Sequence, residues 1–328
     1  MMPITANIPS AISLSLAFLL LTSCMKEELP VPRHEPGNVK TATVNMESNY
    51  KWQIFYSLKK NTIVSQNLKT AWDIAFETSP QGYRIILNTS KAMFAAMTSH
   101  TELNTINDTA GFSSNKRWDA PSGNLDSTAI GNWKTHNHVY IIDRGINEMG
   151  IHLGFVKLKV ESVNAEKYVI RFAFLNQPTE HIKEIFKDSS CNFSYFSFDE
   201  SGKQLIIEPH KNDWDILFTQ YIHVFYNPTI PYLVTGCLTN RARISTARDE
   251  SNPFEKITYQ NISQYSFSSD INVIGYNWKT YTSGTYITDQ KKNYIIKTSE
   301  GIFYKLRFID FLNSAGIKGN PMWEYQEL

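Results

Sequence analysis

Cysteine is nearly absent from this 328-residue chain, which holds only Cys24, Cys191 and Cys237. No CxxC pair and no zinc-finger spacing occurs, which sets aside structural zinc sites and dithiol redox motifs. Cys191 and Cys237 either form one disulfide in an oxidising compartment or serve as small buried hydrophobes. Charge of one sign is missing too: 32 basic residues face 31 acidic ones. Nucleic acid rewards a basic stripe, so that class of partner is set aside. There is no Gly-x-Ser-x-Gly elbow, no HExxH helix and no phosphate loop. Asp73 and Asp215 each follow a tryptophan and form a recurring carboxylate pair. At equivalent strand positions they read as structural groups bonding a neighbouring turn, not as an acid–base couple. The chain reads as non-enzymatic.

Long apolar runs are also missing after the N-terminus. Residues 1–23 carry no charge, and 11–21 are almost wholly apolar. That run is shorter than the roughly 20 residues a bilayer-spanning helix needs, so residues 1–23 fit a signal peptide. It ends in Leu21-Thr22-Ser23-Cys24, which resembles a lipobox. The resemblance implies cleavage before Cys24, lipid on that cysteine and attachment to a lipid bilayer. Met25-Lys26-Glu27-Glu28 resembles the signal that sends lipoproteins of Bacteroidetes-type bacteria to the outer-membrane surface. Pro30, Pro32 and Pro36 make residues 24–47 an extended tether.

Aromatics are abundant, with 17 Tyr, 19 Phe and 7 Trp, and they recur in short alternating runs that favour strands. The same landmarks occur twice in one order. Phe55-Tyr56-Ser57-Leu58 precedes Trp72-Asp73-Ile74-Ala75-Phe76, as Tyr195-Phe196-Ser197-Phe198 precedes Trp214-Asp215-Ile216-Leu217-Phe218. Gly131-Asn132-Trp133 then matches Gly275-Tyr276-Asn277-Trp278, and strands at 139–142 and 155–160 match those at 294–297 and 303–308. The expected fold is all-β, with antiparallel sheets in two tandem units over 48–178 and 190–328. Residues 179–189 are expected to be a short helical linker. Within Trp72–Phe76, pleat alternation predicts Trp72, Ile74 and Phe76 on one face. The glycine at 301 predicts a hairpin across Tyr294–Phe308.

Taken together, Trp52 to Ser57, the Trp-Asp motif at Trp72, the Gly-x-Trp at Gly131, the 301–308 hairpin with Lys305, and Glu324-Tyr325 resemble the HmuY family. The likeness covers most of the mature chain, twice over. It implies an all-β surface lipoprotein that captures heme and passes it to a TonB-dependent outer-membrane receptor. Family ligands to heme iron are histidines or methionines. One of them follows the Gly-Trp strand, where this chain has His136 and His138. The second copy has no histidine there, and the segment carrying the family's other ligand is shortened in both copies. His223, Met97, Met93 and His100 are further candidates by residue type; packing is the simpler role for Met93, Met97 and His223. His136 and His138 share a strand face, which also suits one zinc or copper ion. A contrasting function is an adhesion or scaffold lipoprotein whose aromatic strands dock a protein or glycan without any cofactor.

Overall fold

The duplicated aromatic runs all become strands, but the strands do not stay within their own repeat. The computed structural model describes residues 35–328; the expected signal peptide over 1–23, Cys24 and the charged leader lie outside the described residues. Twenty strands, numbered in chain order, form antiparallel sheets, and Pro36–Leu328 make one compact unit. One four-stranded sheet runs β14 (Ile230–Thr239), β13 (Ile216–Phe225), β2 (Trp52–Ser57), β3 (Thr62–Leu68). A second runs β12 (Lys203–Leu205), β11 (Phe193–Ser197), β4 (Ile74–Glu77), β5 (Ile85–Leu87). Thus β2 of the first repeat pairs with the second repeat's β13, with Tyr56 opposite Ile216. In return, β11 of the second repeat pairs with β4 of the first, with Phe196 opposite Ile74. The two repeats have exchanged their opening strands.

Each four-stranded sheet packs on a five-stranded one. The order β1 (Lys40–Thr43), β20 (Lys318–Glu327), β19 (Phe303–Leu312), β18 (Asn293–Thr298), β15 (Ile244–Asp249) covers one, and β10 (His181–Phe186), β9 (Lys167–Phe174), β8 (Phe155–Val163), β7 (Tyr140–Asp143), β6 (Phe94–Met97) the other. The predicted Tyr294–Phe308 hairpin is β18–β19, turning at Gly301. A small hairpin, β16 (Lys279–Thr282) and β17 (Thr285–Thr288), forms its own two-stranded sheet and packs Tyr286 against Phe311 of β19.

Alternation explains why the exchanged strands read as nearly continuous apolar runs. Ile54 and Tyr56 point into one sandwich core, while Phe55 points into a third core between the two four-stranded sheets. Likewise Phe196 enters the other sandwich core, while Phe193 and Tyr195 enter the third. A strand buried on both faces has no solvent side on which to place polar residues. Burying three such side chains on one strand contributes on the order of several kcal/mol.

Three expectations are corrected. The linker at 179–189 is not helical: His181–Phe186 form β10, an edge strand antiparallel to β9. The free backbone edge of β9 outweighs a weak helical spacing of Ile182 and Phe186, and Lys183 with Glu184 suit an edge. The tether over 24–47 ends early, because Lys40–Thr43 add to β20 and Val44 and Met46 are buried. Finally, Trp72 does not share a face with Ile74 and Phe76. It precedes the regular strand and packs in the third core, as Trp214 does in the second repeat, while Ile74 and Phe76 enter a sandwich core. Cys191 and Cys237 are free thiols, the latter fully buried.

Candidate functional site

The Trp-Asp motif is the joint that holds the exchanged strands. Asp73 accepts from the backbone N–H of Phe198 at 2.8 Å, just past the end of β11, and from Ser197 Oγ at 3.4 Å. Asp215 repeats this on the other repeat, accepting from Leu58 N at 2.7 Å and Ser57 Oγ at 3.5 Å. Each aspartate therefore bonds the turn after the other repeat's opening strand, which is the structural role its position predicts. The asparagines after the next strand are duplicated as well. Asn88 Nδ2 donates to the carbonyls of Lys69 and Trp72, and Asn240 Nδ2 to those of Lys211 and Trp214. Three residues on come the cations: Lys91 with Arg144 on Asp73, and Arg243 on Asp215 at 3.4 Å. Burial by itself would raise the Asp73 carboxyl, but Lys91 and Arg144 outweigh it and hold it below the usual carboxylate range. For Asp215 burial prevails over Arg243 and pushes the carboxyl up. These cations were missed in the sequence, although Asn88-x-x-Lys91 and Asn240-x-x-Arg243 repeat in register.

Histidines gather beside the first Gly-Trp turn. Gly131 takes φ +63° and Gly275, its counterpart, +67°, so both turns use the left-handed backbone that glycine tolerates. Trp133 is buried and donates Nε1–H to Tyr83 O at 2.8 Å. After a 3₁₀ turn over Trp133–Thr135 the chain extends through His136 and His138 into β7. Their rings stack at 5.1 Å with an interplanar angle of 25°, and His136 lies 6.1 Å from the Tyr140 ring. The same-face placement of the two imidazoles is thus as predicted. Nδ1 of each ring is buried without a hydrogen-bond partner. Burial, then the neighbouring His138, lowers the His136 pKa, which favours the neutral imidazole that ligates metals.

Met97 sits on β6 directly opposite Tyr140 of β7 and is 48% exposed, whereas Tyr140 is buried in a sandwich core. Met93 is fully buried in a sandwich core. His100 bonds Thr105 Oγ1 through Nδ1 at 2.8 Å. His223 lies in the other repeat, on β13, with its ring 4.8 Å from Tyr276 and 5.0 Å from Phe225. Its Nδ1 also lacks a partner, and burial lowers its pKa. Tyr276 belongs to the second Gly-Trp turn, so packing brings an imidazole to that turn where the sequence offers none. The fold thus brings His136 and His138 together beside Tyr140, sets Met97 on the strand opposite Tyr140, and leaves His223 apart. Among the described residues no group of three or more His, Cys, Asp and Glu side chains is placed to hold a metal ion.

A separate cavity of about 130 Å³ opens between the two four-stranded sheets, walled by Trp72, Trp214, Phe55, Tyr195, Leu217 and Arg241 among others. None of the candidate histidines or methionines lines it.

The family model described as HmuY protein matches residues 49–183 and 189–325, and the chain belongs to the HmuY family. Among solved structures, the apo HmuY analog of Tannerella forsythia is similar, with 9% identity over 90% of this chain and 97% of that chain and a TM-score of 0.25. Apo PinO from Porphyromonas gingivitis shares 10% identity over 89% and 97%, with a TM-score of 0.24. A Bacteroides vulgatus protein described as HmuY-like and heme-binding shares 10% over 88% and 90%, with a TM-score of 0.23. Membership rests on the family match. No curated protein sequence matches the chain.

Proposed function

We propose that this protein is a non-enzymatic, surface-anchored lipoprotein that captures heme for a TonB-dependent outer-membrane receptor. Members of its family are heme-binding, non-enzymatic proteins. The observation that carries the reading is the His136–His138 pair, two imidazoles whose Nδ1 atoms are buried without partners. An imidazole with an unpartnered ring nitrogen is suited to heme iron. His138 or His136 would supply one axial ligand. The two histidines stack on one face, so they do not bracket a single iron between them. The heme is cargo here, and the lipid on Cys24 would keep it at the membrane.

The test is a heme titration of the purified protein followed by absorbance. A saturable Soret band is expected, with affinity reduced at least tenfold in His138→Ala or His136→Ala. A flat titration overturns the proposal. A second reading, docking of a protein or glycan without cofactor, is favoured by one observation: the β13–β14 hairpin exposes Phe225, Tyr226, Ile230 and Tyr232. Single exposed hydrophobics are common, but a cluster on one hairpin end marks an interaction surface. A flat heme titration would direct attention there.

A further inference from the structure

Symmetry breaks at one wall of the cavity between the repeats. Asn88 and Asn240 make the same pair of backbone bonds in their two repeats, so the residues that follow them are equivalent. These are Thr89 and Arg241, and both line the cavity. The first repeat satisfies this position with a threonine, so the fold itself does not require a guanidinium there. Placing one between two packed sheets is costly unless its donors are used.

Arg241 leaves most of its donors unused. Nη1 donates to Gly123 O at 3.0 Å, and the guanidinium lies 4.8 Å over the Phe193 ring. Among the described residues no carboxylate oxygen comes within 4.0 Å of it, and none of its nitrogens is sealed off without a partner. Arg241 thus stands in the wall of this cavity, and of a shallow groove beside Ala242–Ser245, with Nε and Nη2 lacking a protein acceptor among the described residues. The two nearby carboxyls are committed elsewhere. Glu208 accepts from the backbone N–H groups of Asn192 at 2.9 Å and Phe193 at 3.2 Å, from Asn192 Nδ2 at 2.5 Å and from Trp214 Nε1 at 3.2 Å. Asp119 accepts from Leu87 N at 2.7 Å and Ala129 N at 2.8 Å. The unspent hydrogen-bonding capacity is donor capacity, and it calls for an anionic acceptor. The rest of the wall is aromatic and aliphatic. Its volume of about 130 Å³ is close to the ~150 Å³ of an apolar cavity that holds benzene.

We propose that the inter-repeat cavity binds a small carboxylate with a single-ring or similarly sized apolar body, its carboxylate received by Arg241. None of the candidate histidines or methionines lines this cavity, so this site and heme capture at His136 or His138 stand or fall separately.

The experiment is calorimetric titration of the purified full chain with three ligands of one shape: phenylacetate, phenylacetamide and phenethylamine. Phenylacetate is expected to bind saturably, the neutral amide about tenfold or more weakly, and the cation not measurably. Arg241→Gln should bring phenylacetate down to the level of the amide, and Leu217→Trp, which fills the cavity from its own wall, should remove both. The comparison of ligands on the unmutated protein stands even where a variant fails to fold. Equal binding of acid and amide, preference for the cation, or no saturable binding of phenylacetate would each overturn the proposal.

Discussion

At the scale of single residues, Asp73 carries more than its twin Asp215. It is fully buried against two cations, and Lys91, also fully buried, has no second carboxylate within 4.0 Å among the described residues. Asparagine in its place would keep the shape and still accept from Phe198 N, but would leave Lys91 without its counter-ion. Breaking a buried pair from one side costs roughly 3–5 kcal/mol. Arg243, by contrast, keeps Glu300 at 2.8 Å when Asp215 loses its charge. Asp73→Asn should therefore cost about 3–5 kcal/mol in urea unfolding, and Asp215→Asn only about 1–3 kcal/mol. Equal losses would show that the cation networks are not what distinguishes the two joints. The Trp-Asp pairing was legible in the sequence as structural. Its partners were not, because Ser197 and Phe198 lie in the other repeat, 124 and 125 residues along the chain.

At the scale of elements, the exchange of β2 and β11 ties the repeats into one folding unit. A first repeat cut at residue 188 would lose β11 and β12, leave β4 with an open edge, and remove Phe196 and Phe198 from its core. Open apolar edges aggregate. Residues 36–188 and 189–328 expressed alone are each expected to be unfolded or aggregated by circular dichroism and size exclusion. Co-expressed, they should yield a soluble complex with native sheet content. A folded monomer from either half would refute the interdependence. The landmark order revealed two copies, but pairing partners are set by which edges meet in space, and register carries no mark of which repeat supplies the neighbour.

At the scale of the whole molecule, buried carboxyls at the inter-repeat cavity set the pH response. Burial pushes Glu208 from 4.5 up to about 7, against four hydrogen bonds that lower it, and Asp119 from 3.8 up to about 6. The folded protein thus holds protons across this window that the unfolded chain has released. Stability from these groups is fully present below about pH 4 and is lost as pH rises through 6 and 7. Asp73 acts in the opposite direction only below the usual carboxylate range, His136 and His223, partly exposed, oppose weakly near pH 6, and Lys279, pushed down to about 7 by burial, opposes only from about pH 7 upward. The protein should melt higher at pH 5 than at pH 8. Glu208→Gln should flatten that slope, by roughly 3 kcal/mol for a carboxyl moved this far. A melting temperature that rises from pH 5 to 8 would contradict the assignment.

Local pattern was enough to determine much of this protein. Alternating aromatic runs bounded by turn residues specify strands, and their doubled order specifies the family and the duplication. The His136–His138 spacing fixes two imidazoles on one face, because that is a property of two residues on one extended segment. Tertiary structure decided whatever depends on distant groups meeting. It turned 181–186 into an edge strand by offering it β9, carried Trp72 and Trp214 into a core between repeats, brought His223 onto Tyr276, and placed Arg241 in the wall of a cavity. Each of these depends on packing and desolvation between segments far apart in the chain, and no local run of residues encodes where its neighbour will be.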